Sequence, residues 1–160
     1  MPSSMLIKLY DMDFPALLSK YKDMMDKENI RMFRPSAPNK FMLEEWVTKN
    51  FGEAWASEFS ISISSNLATS YIAVHDNKPV GFACYDCIAK DMFGPTGVLE
   101  QYRGKGIGAA LLINVLHAMY MDGYVYTVIG STGPVEFYTK VAGAIIIEEN
   151  SSGNYNNVIN

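Results

Sequence analysis

Two cysteines, Cys84 and Cys87, are too few for a disulfide framework, and no second ligand pair accompanies their Cys-x-x-Cys spacing. His75 and His117, the only histidines, stand at no metal-ligand spacing from them, so the pair reads as two reduced thiols and no metal is expected. On a regular strand their separation would place them on opposite faces. Basic residues are also scarce, with 13 Lys and Arg against 17 Asp and Glu and a net charge of −4. This argues against nucleic acid or an anionic lipid surface as a partner, although one local basic patch would suffice for a phosphate-bearing ligand. The longest apolar stretch, residues 107–121, is interrupted by Asn114 and His117 and is too short to span a membrane. The first residues show no secretory pattern, so a cytoplasmic protein is expected.

What is present is a core-forming composition. Hydrophobic residues make up 49% of 160 residues, enough for one domain, 1–160, held by its own core. Residues 5–10 alternate as a first strand, and Asp13 with Pro15 opens a helix. Residues 30–40 read as a loop because of Pro35, Pro38 and Asn39, with Asn39 capping a second helix. Residues 53–64 are ambiguous, and helix is favoured. A hairpin follows over 71–75 and 79–87, then a third strand over 91–99 broken by Gly94, Pro95 and Gly97. Proline cannot donate to a ladder, so this strand must bulge or leave its neighbour. A strong helix over 106–121 ends at Gly123, and strand, helix and strand follow over 124–129, 133–141 and 144–148. A short strand near 155–159 is the last expected element. The order implies a mixed α/β architecture of the α+β type, helices layered on a largely antiparallel sheet.

The chemistry concentrates in Arg103-Gly104-Lys105-Gly106-Ile107-Gly108, between the broken strand and the strongest helix. Glycines admit close backbone approach, a helix N-terminus offers unpaired N–H groups, and Arg103 and Lys105 add positive charge. These make a phosphate or pyrophosphate site. The P-loop pattern fails because Gly106 follows Lys105, and a dinucleotide fold is disfavoured by Pro95 and by the lack of an acidic residue after the next strand.

The run from Val98 through Gly108 and on to Leu112 resembles the central motif of the GNAT superfamily of N-acyltransferases, Arg/Gln-x-x-Gly-x-Gly/Ala. Downstream, Gly133 to Tyr138 and Val141 to Ala144 resemble that family's last helix with its Phe-Tyr pair. The order of elements fits nearly the whole chain, residues 1–70 only in outline. The resemblance implies a largely antiparallel central sheet splayed at its middle and flanked by helices on both faces, with acetyl-CoA as co-substrate. The pantetheine arm would lie in the gap against Thr96 and Val98, with the Val98 N–H toward the thioester oxygen. The pyrophosphate would lie on Arg103, Gly104, Lys105, Gly106, Ile107 and Gly108. Tyr138 matches the family's catalytic acid, whose phenol, with an ordinary pKa of about 10, can protonate the departing thiolate. Asp91 is a candidate base acting through water; Glu100 and Asp86 read better as solvated charges. Where relatives carry Asn, this chain has Gly130-Ser131-Thr132, and Ser131 is the candidate substitute donor. Phe33 and Arg34 are candidate acceptor contacts, since the first helices form the family's acceptor wall. The implied reaction is acetyl transfer to the primary amine of a small molecule or peptide, with a homodimer left open. The alternative is an acyl-CoA-binding module without turnover.

Overall fold

The computed structural model describes residues 3–149, 155 and 157–159. Strand β1 is Ser3–Lys8, followed by helix α1, Phe14–Lys27, strand β2, Ile30–Phe33, and helices α2, Lys40–Phe51, and α3, Glu53–Ser62. Strands β3, Ser70–His75, β4, Lys78–Tyr85, and β5, Phe93–Val98, lead into helix α4, Ile107–Met121. Strand β6, Tyr126–Thr132, helix α5, Val135–Ala142, and strand β7, Ile145–Glu149, complete it.

Two sheets form. One has the order β2-β3-β4-β5 and the other β6-β1-β7, with every pairing antiparallel. They touch through one parallel bridge, Met92 with Val128, and diverge beyond it. At that apex the Asp91 carbonyl accepts both the Val128 N–H at 3.1 Å and the Thr127 hydroxyl at 3.0 Å. The result is one sheet split in the middle. The first strand of the chain lies at the centre of the second half, between β6 and β7.

Strand alternation sorts the side chains to two faces. Ile72, Val74, Phe82 and Cys84 join Leu43, Val47, Ala56 and Phe59 of α2 and α3 in one core. Ala73, Ala83 and Tyr85 join α1 and α4 in the other. Helix α4 carries ten buried residues, which explains why its sequence is apolar on nearly every side.

Several local expectations hold. Asp13 caps α1, its Oδ1 accepting the Ala16 N–H at 3.2 Å. Residues 53–62 are helical, and Gly123, after α4, has φ +100°. The broken strand bulges as Pro95 requires: Tyr85 pairs with Phe93 and Ala83 with Thr96, so one more residue is spent on β5 than on β4.

Other expectations are corrected. Residues 30–33 are strand, not loop: Ile30 is buried and pairs with His75, and the loop-forming prolines come only afterwards. Asn39 precedes α2 but its side chain caps nothing; its Oδ1 accepts the Ser36 hydroxyl at 3.3 Å. Of the tail strand at 155–159, residue 156 lies outside the described residues and the others carry no strand. The cysteines do not take opposite faces. Strand β4 ends at Tyr85 and Asp86 turns the chain at φ +57°, which returns Cys87 to the core that holds Cys84.

Candidate active site

The turn from β5 into α4 is built on two left-handed residues, Gly104 at φ +81° and Gly106 at φ +84°. Gly106 opens the helix: its carbonyl takes the Ala110 N–H at 2.9 Å, the first α-helical hydrogen bond of α4. The N–H groups of Ile107, Gly108 and Ala109 are therefore left over at the positive end of a 15-residue helix. Buried Ile107 anchors the first turn. Arg103 is exposed and makes no ion pair among the described residues, whereas Lys105 is held by Glu28 at 3.1 Å.

Strand β5 presents the second element. The Leu99 N–H donates to the Val80 carbonyl at 2.9 Å. Antiparallel alternation then directs the Gly97 N–H to β4 and the Thr96 and Val98 N–H groups to the opposite edge. That edge faces β6, which has already diverged. The Thr96 side chain is engaged elsewhere, its hydroxyl donating to the Phe82 carbonyl at 3.0 Å. Gly97 is fixed by packing, since a Cβ there would lie 2.5 Å from the Phe51 ring.

Two cavities open on the split. The larger, about 610 Å³, is lined by Thr96, Val98, Arg103, Gly104, Gly106, Gly108, Phe137 and Tyr138 among others. The smaller, about 360 Å³, is lined by Trp55 and Glu58 of α3, by Ile88, and by β6 and its following loop. Both include Phe93, Thr96, Pro134 and Tyr138. Tyr138 thus stands where the two spaces meet. Its ring packs against Phe93 and Phe137, with centroids 6.1 and 5.0 Å away. Burial pushes its phenol up to about 12, so it is fully protonated at neutral pH.

The fold brings Thr96, Val98, Arg103, Gly104, Gly106, Ile107, Gly108 and Tyr138 around the larger cavity. Ser131, at φ +52° on β6, lines the smaller one. Asp91 lines neither. It sits at the apex, its N–H donating to Asp86 Oδ1 at 2.7 Å and its own Oδ1 buried without a partner among the described residues. Burial first, and the Asp86 charge second, raise its carboxyl above the usual range. Phe33 and Arg34 also line neither cavity of the split. Phe33 flanks a separate groove beside α1. Arg34 donates to the Ala68 carbonyl at 2.7 Å and to the Tyr85 hydroxyl, which in turn donates to Asp122 Oδ2 at 2.7 Å. Asp122 caps the far end of α4, roughly 22 Å from the glycine turn at 1.5 Å per residue. Among the described residues no three His, Cys, Asp or Glu side chains are grouped for a metal, and no helix is long and apolar enough to cross a membrane.

Glu58 was not singled out by the sequence reading. The available signal was its place on α3 one turn after Trp55 and beside buried Phe59, a carboxylate on the margin of an apolar stripe.

Residues 66–141 match the profile of the acetyltransferase (GNAT) domain, a span containing the bulged strand, the glycine turn and Tyr138. Over these residues the chain is similar to the GNAT superfamily. Solved GNAT structures share its fold. A glucosamine N-acetyltransferase region of a fungal multi-domain β-N-acetylglucosaminidase aligns over 92% of this chain and 20% of that one, at 15% identity and TM-score 0.74. An N-acetyltransferase from Sphaerobacter thermophilus aligns over 92% and 50%, at 20% identity and TM-score 0.62. Ribosomal-protein-alanine N-acetyltransferase from Brucella melitensis aligns over 71% and 90%, at 14% identity and TM-score 0.53. The chain therefore spans one fifth and one half of the first two. Comparison with curated protein sequences gives no match.

Proposed function

We propose that this GNAT-like domain transfers the acetyl group of acetyl-CoA to a primary amine. The observation that carries the reading is the convergence on one cavity of three features. These are the outward N–H groups of Thr96 and Val98, the N-terminal amides of α4, and Tyr138.

Each feature meets one need of the reaction. Unpaired amides at the start of α4, with Arg103 beside them, suit a pyrophosphate. Open space over Gly108, where a Cβ would find its nearest neighbours at 3.8 Å, fits a cradle that backbone forms and side chains leave clear. The free edge of β5 can hydrogen-bond an extended amide-bearing arm as a further strand would. The Val98 N–H can then polarise the thioester carbonyl as a fixed oxyanion donor. Tyr138 donates its proton to the sulfur as the C–S bond breaks. Its raised pKa does not defeat this role, because the burial that weakens the phenol also disfavours the thiolate it must neutralise.

The test follows free thiol from acetyl-CoA with a thiol-reactive chromophore, across a panel of amines that includes glucosamine and an alanine-terminated peptide. Amine-dependent thiol release with saturating kinetics is expected. Tight CoA binding with no release for any amine would instead favour an acyl-CoA-binding module.

A further inference from the structure

The smaller cavity contains a group that the acyl-transfer steps above leave unused. Glu58 projects from α3 into its wall. Its Oε1 accepts the Tyr155 hydroxyl at 3.1 Å. Its Oε2 is closed to solvent and has no hydrogen-bond partner among the described residues. A buried carboxylate oxygen without a donor is costly and calls for an explanation. The groups facing Glu58 supply no positive charge. They are the Tyr155 hydroxyl, the buried thiols of Cys84 and Cys87 from β4 and its turn, and Tyr138 from α5 across the cavity. Among the described residues no Lys, Arg or His lines this space; Trp55, Phe93, Tyr138 and Tyr155 do.

We infer that Glu58 receives the acceptor's ammonium group, takes the proton that the nitrogen must lose before attack, and selects a small primary amine with an apolar or aromatic body and no carboxylate of its own. This rests on the acetyl-transfer reading. Glu58 lines the cavity, and a turn of its carboxylate that brings Oε2 to the open space lets an ammonium supply the donor that Oε2 lacks, while aromatic walls favour an organic cation. A carboxylate beside the amine would lie close to Glu58 with no counter-charge, and such like-charge contacts reject a ligand. The volume, about 360 Å³, is near the small end of ligand sites. Burial raises the Glu58 carboxyl above its ordinary range, which strengthens it as a base.

The protons balance. The ammonium gives one proton to Glu58, and the freed lone pair forms the C–N bond to the thioester carbon. The C–S bond then breaks, its electrons leaving on sulfur, which takes the Tyr138 proton. The phenolate is reprotonated, through water, by the excess proton on the new amide nitrogen. Glu58 releases its proton to solvent. The products are amide, free thiol and one proton.

The test compares 2-phenylethylamine with L-phenylalanine, which share ring and amine and differ by a carboxylate. kcat/KM is measured for wild type, Glu58→Gln and Glu58→Asp between about pH 6 and about pH 10. Wild type is expected to favour 2-phenylethylamine by about tenfold or more. Glu58→Gln should lose about 10²-fold at neutral pH and recover as pH approaches the amine's own pKa of about 10, because a neutral amine needs no base. Glu58→Asp should restore part of the loss. Acetyl-CoA affinity by calorimetry should hold, and the Glu58→Gln melting temperature should stay level or rise, since a desolvated charge is removed. Equal use of the two amines overturns the inference while acetyl transfer stands. So does a Glu58→Gln enzyme with an unmoved pH profile, or one whose loss tracks a fall in melting temperature. A wild type that binds no acetyl-CoA, or releases no thiol with any amine, refutes acetyl transfer and this inference with it.

Discussion

Gly108→Glu separates the stability of the fold from the binding of CoA, because the two should move in opposite directions. Gly108 is the second residue of α4, its backbone is unstrained, and a Cβ there meets only ordinary contacts at 3.8 Å, Phe137 Cζ and Val98 Cγ2. Replacing glycine in a helix recovers about 0.5 kcal/mol of propensity. A carboxylate in the first turn adds about 0.3–1 kcal/mol through the helix dipole. Together these amount to about 1 kcal/mol, a rise of roughly 2–4 °C for a domain of this size. Binding should fall, since the new charge enters the cavity assigned to the pyrophosphate. A unit charge about 6 Å from a phosphate charge costs about 0.7 kcal/mol at the dielectric of water and about 3 kcal/mol at an effective dielectric of about 20. CoA affinity should therefore drop by a factor between about 3 and about 150, and part of the loss should return in high salt. Gly108→Ala is the steric control. Calorimetry and thermal denaturation read both quantities. A stabilised Gly108→Glu protein with wild-type CoA affinity would remove the cradle from this turn. Gly106 is a poorer probe, because at φ +84° any side chain is strained and its Cβ would lie 2.6 Å from Met24 Cε.

Tyr138→Phe should lower kcat by about 10²-fold with CoA affinity unchanged; an unchanged kcat, with chemistry rate-limiting, would leave Tyr138 a packing role. The same substitution should flatten part of the alkaline unfolding profile. A buried phenol near 12, against 10.0 when exposed, contributes stability present below about pH 10 and lost as pH rises toward 12, which urea titrations at several pH values measure. Added CoA should slow amide exchange at residues 96–99 and 126–132 more than in the β3–β4 hairpin; a uniform rise in protection would put the binding slot elsewhere.

The glycine turn, the bulge at Pro95 and the helical Tyr138 were legible because each depends on local chemistry: positive φ, a missing donor, and a short motif. Strand β2 was not, since four residues from Ile30 to Phe33 gain their identity from β3 rather than from their own pattern. Nor was the position of β1, because alternation over Ser3–Lys8 announces a strand without naming its neighbours. Of the residues lining the two cavities, the sequence pointed to several adjoining the motif and not to those supplied by α3. Glu58 reaches the cavity only because α3 packs behind β4 and β5. The family resemblance drew attention instead to Phe33 and Arg34, and Arg34 is tied to Ala68 and Tyr85.

The central place of β1 also sets an order of assembly. Its partners β6 and β7 lie more than a hundred residues downstream, so the first strand made must wait for the last ones before it gains either neighbour. During synthesis the half of the chain that ends in β5 can close on itself, while the far wall of the split, with Ser131 and the helix bearing Tyr138, can form only once both termini are present. A fragment trimmed to residues 66–141 would hold every motif residue and lack the strand that holds β6 in place. An N-terminal deletion past Lys8 should thus abolish activity from a segment that touches neither cavity.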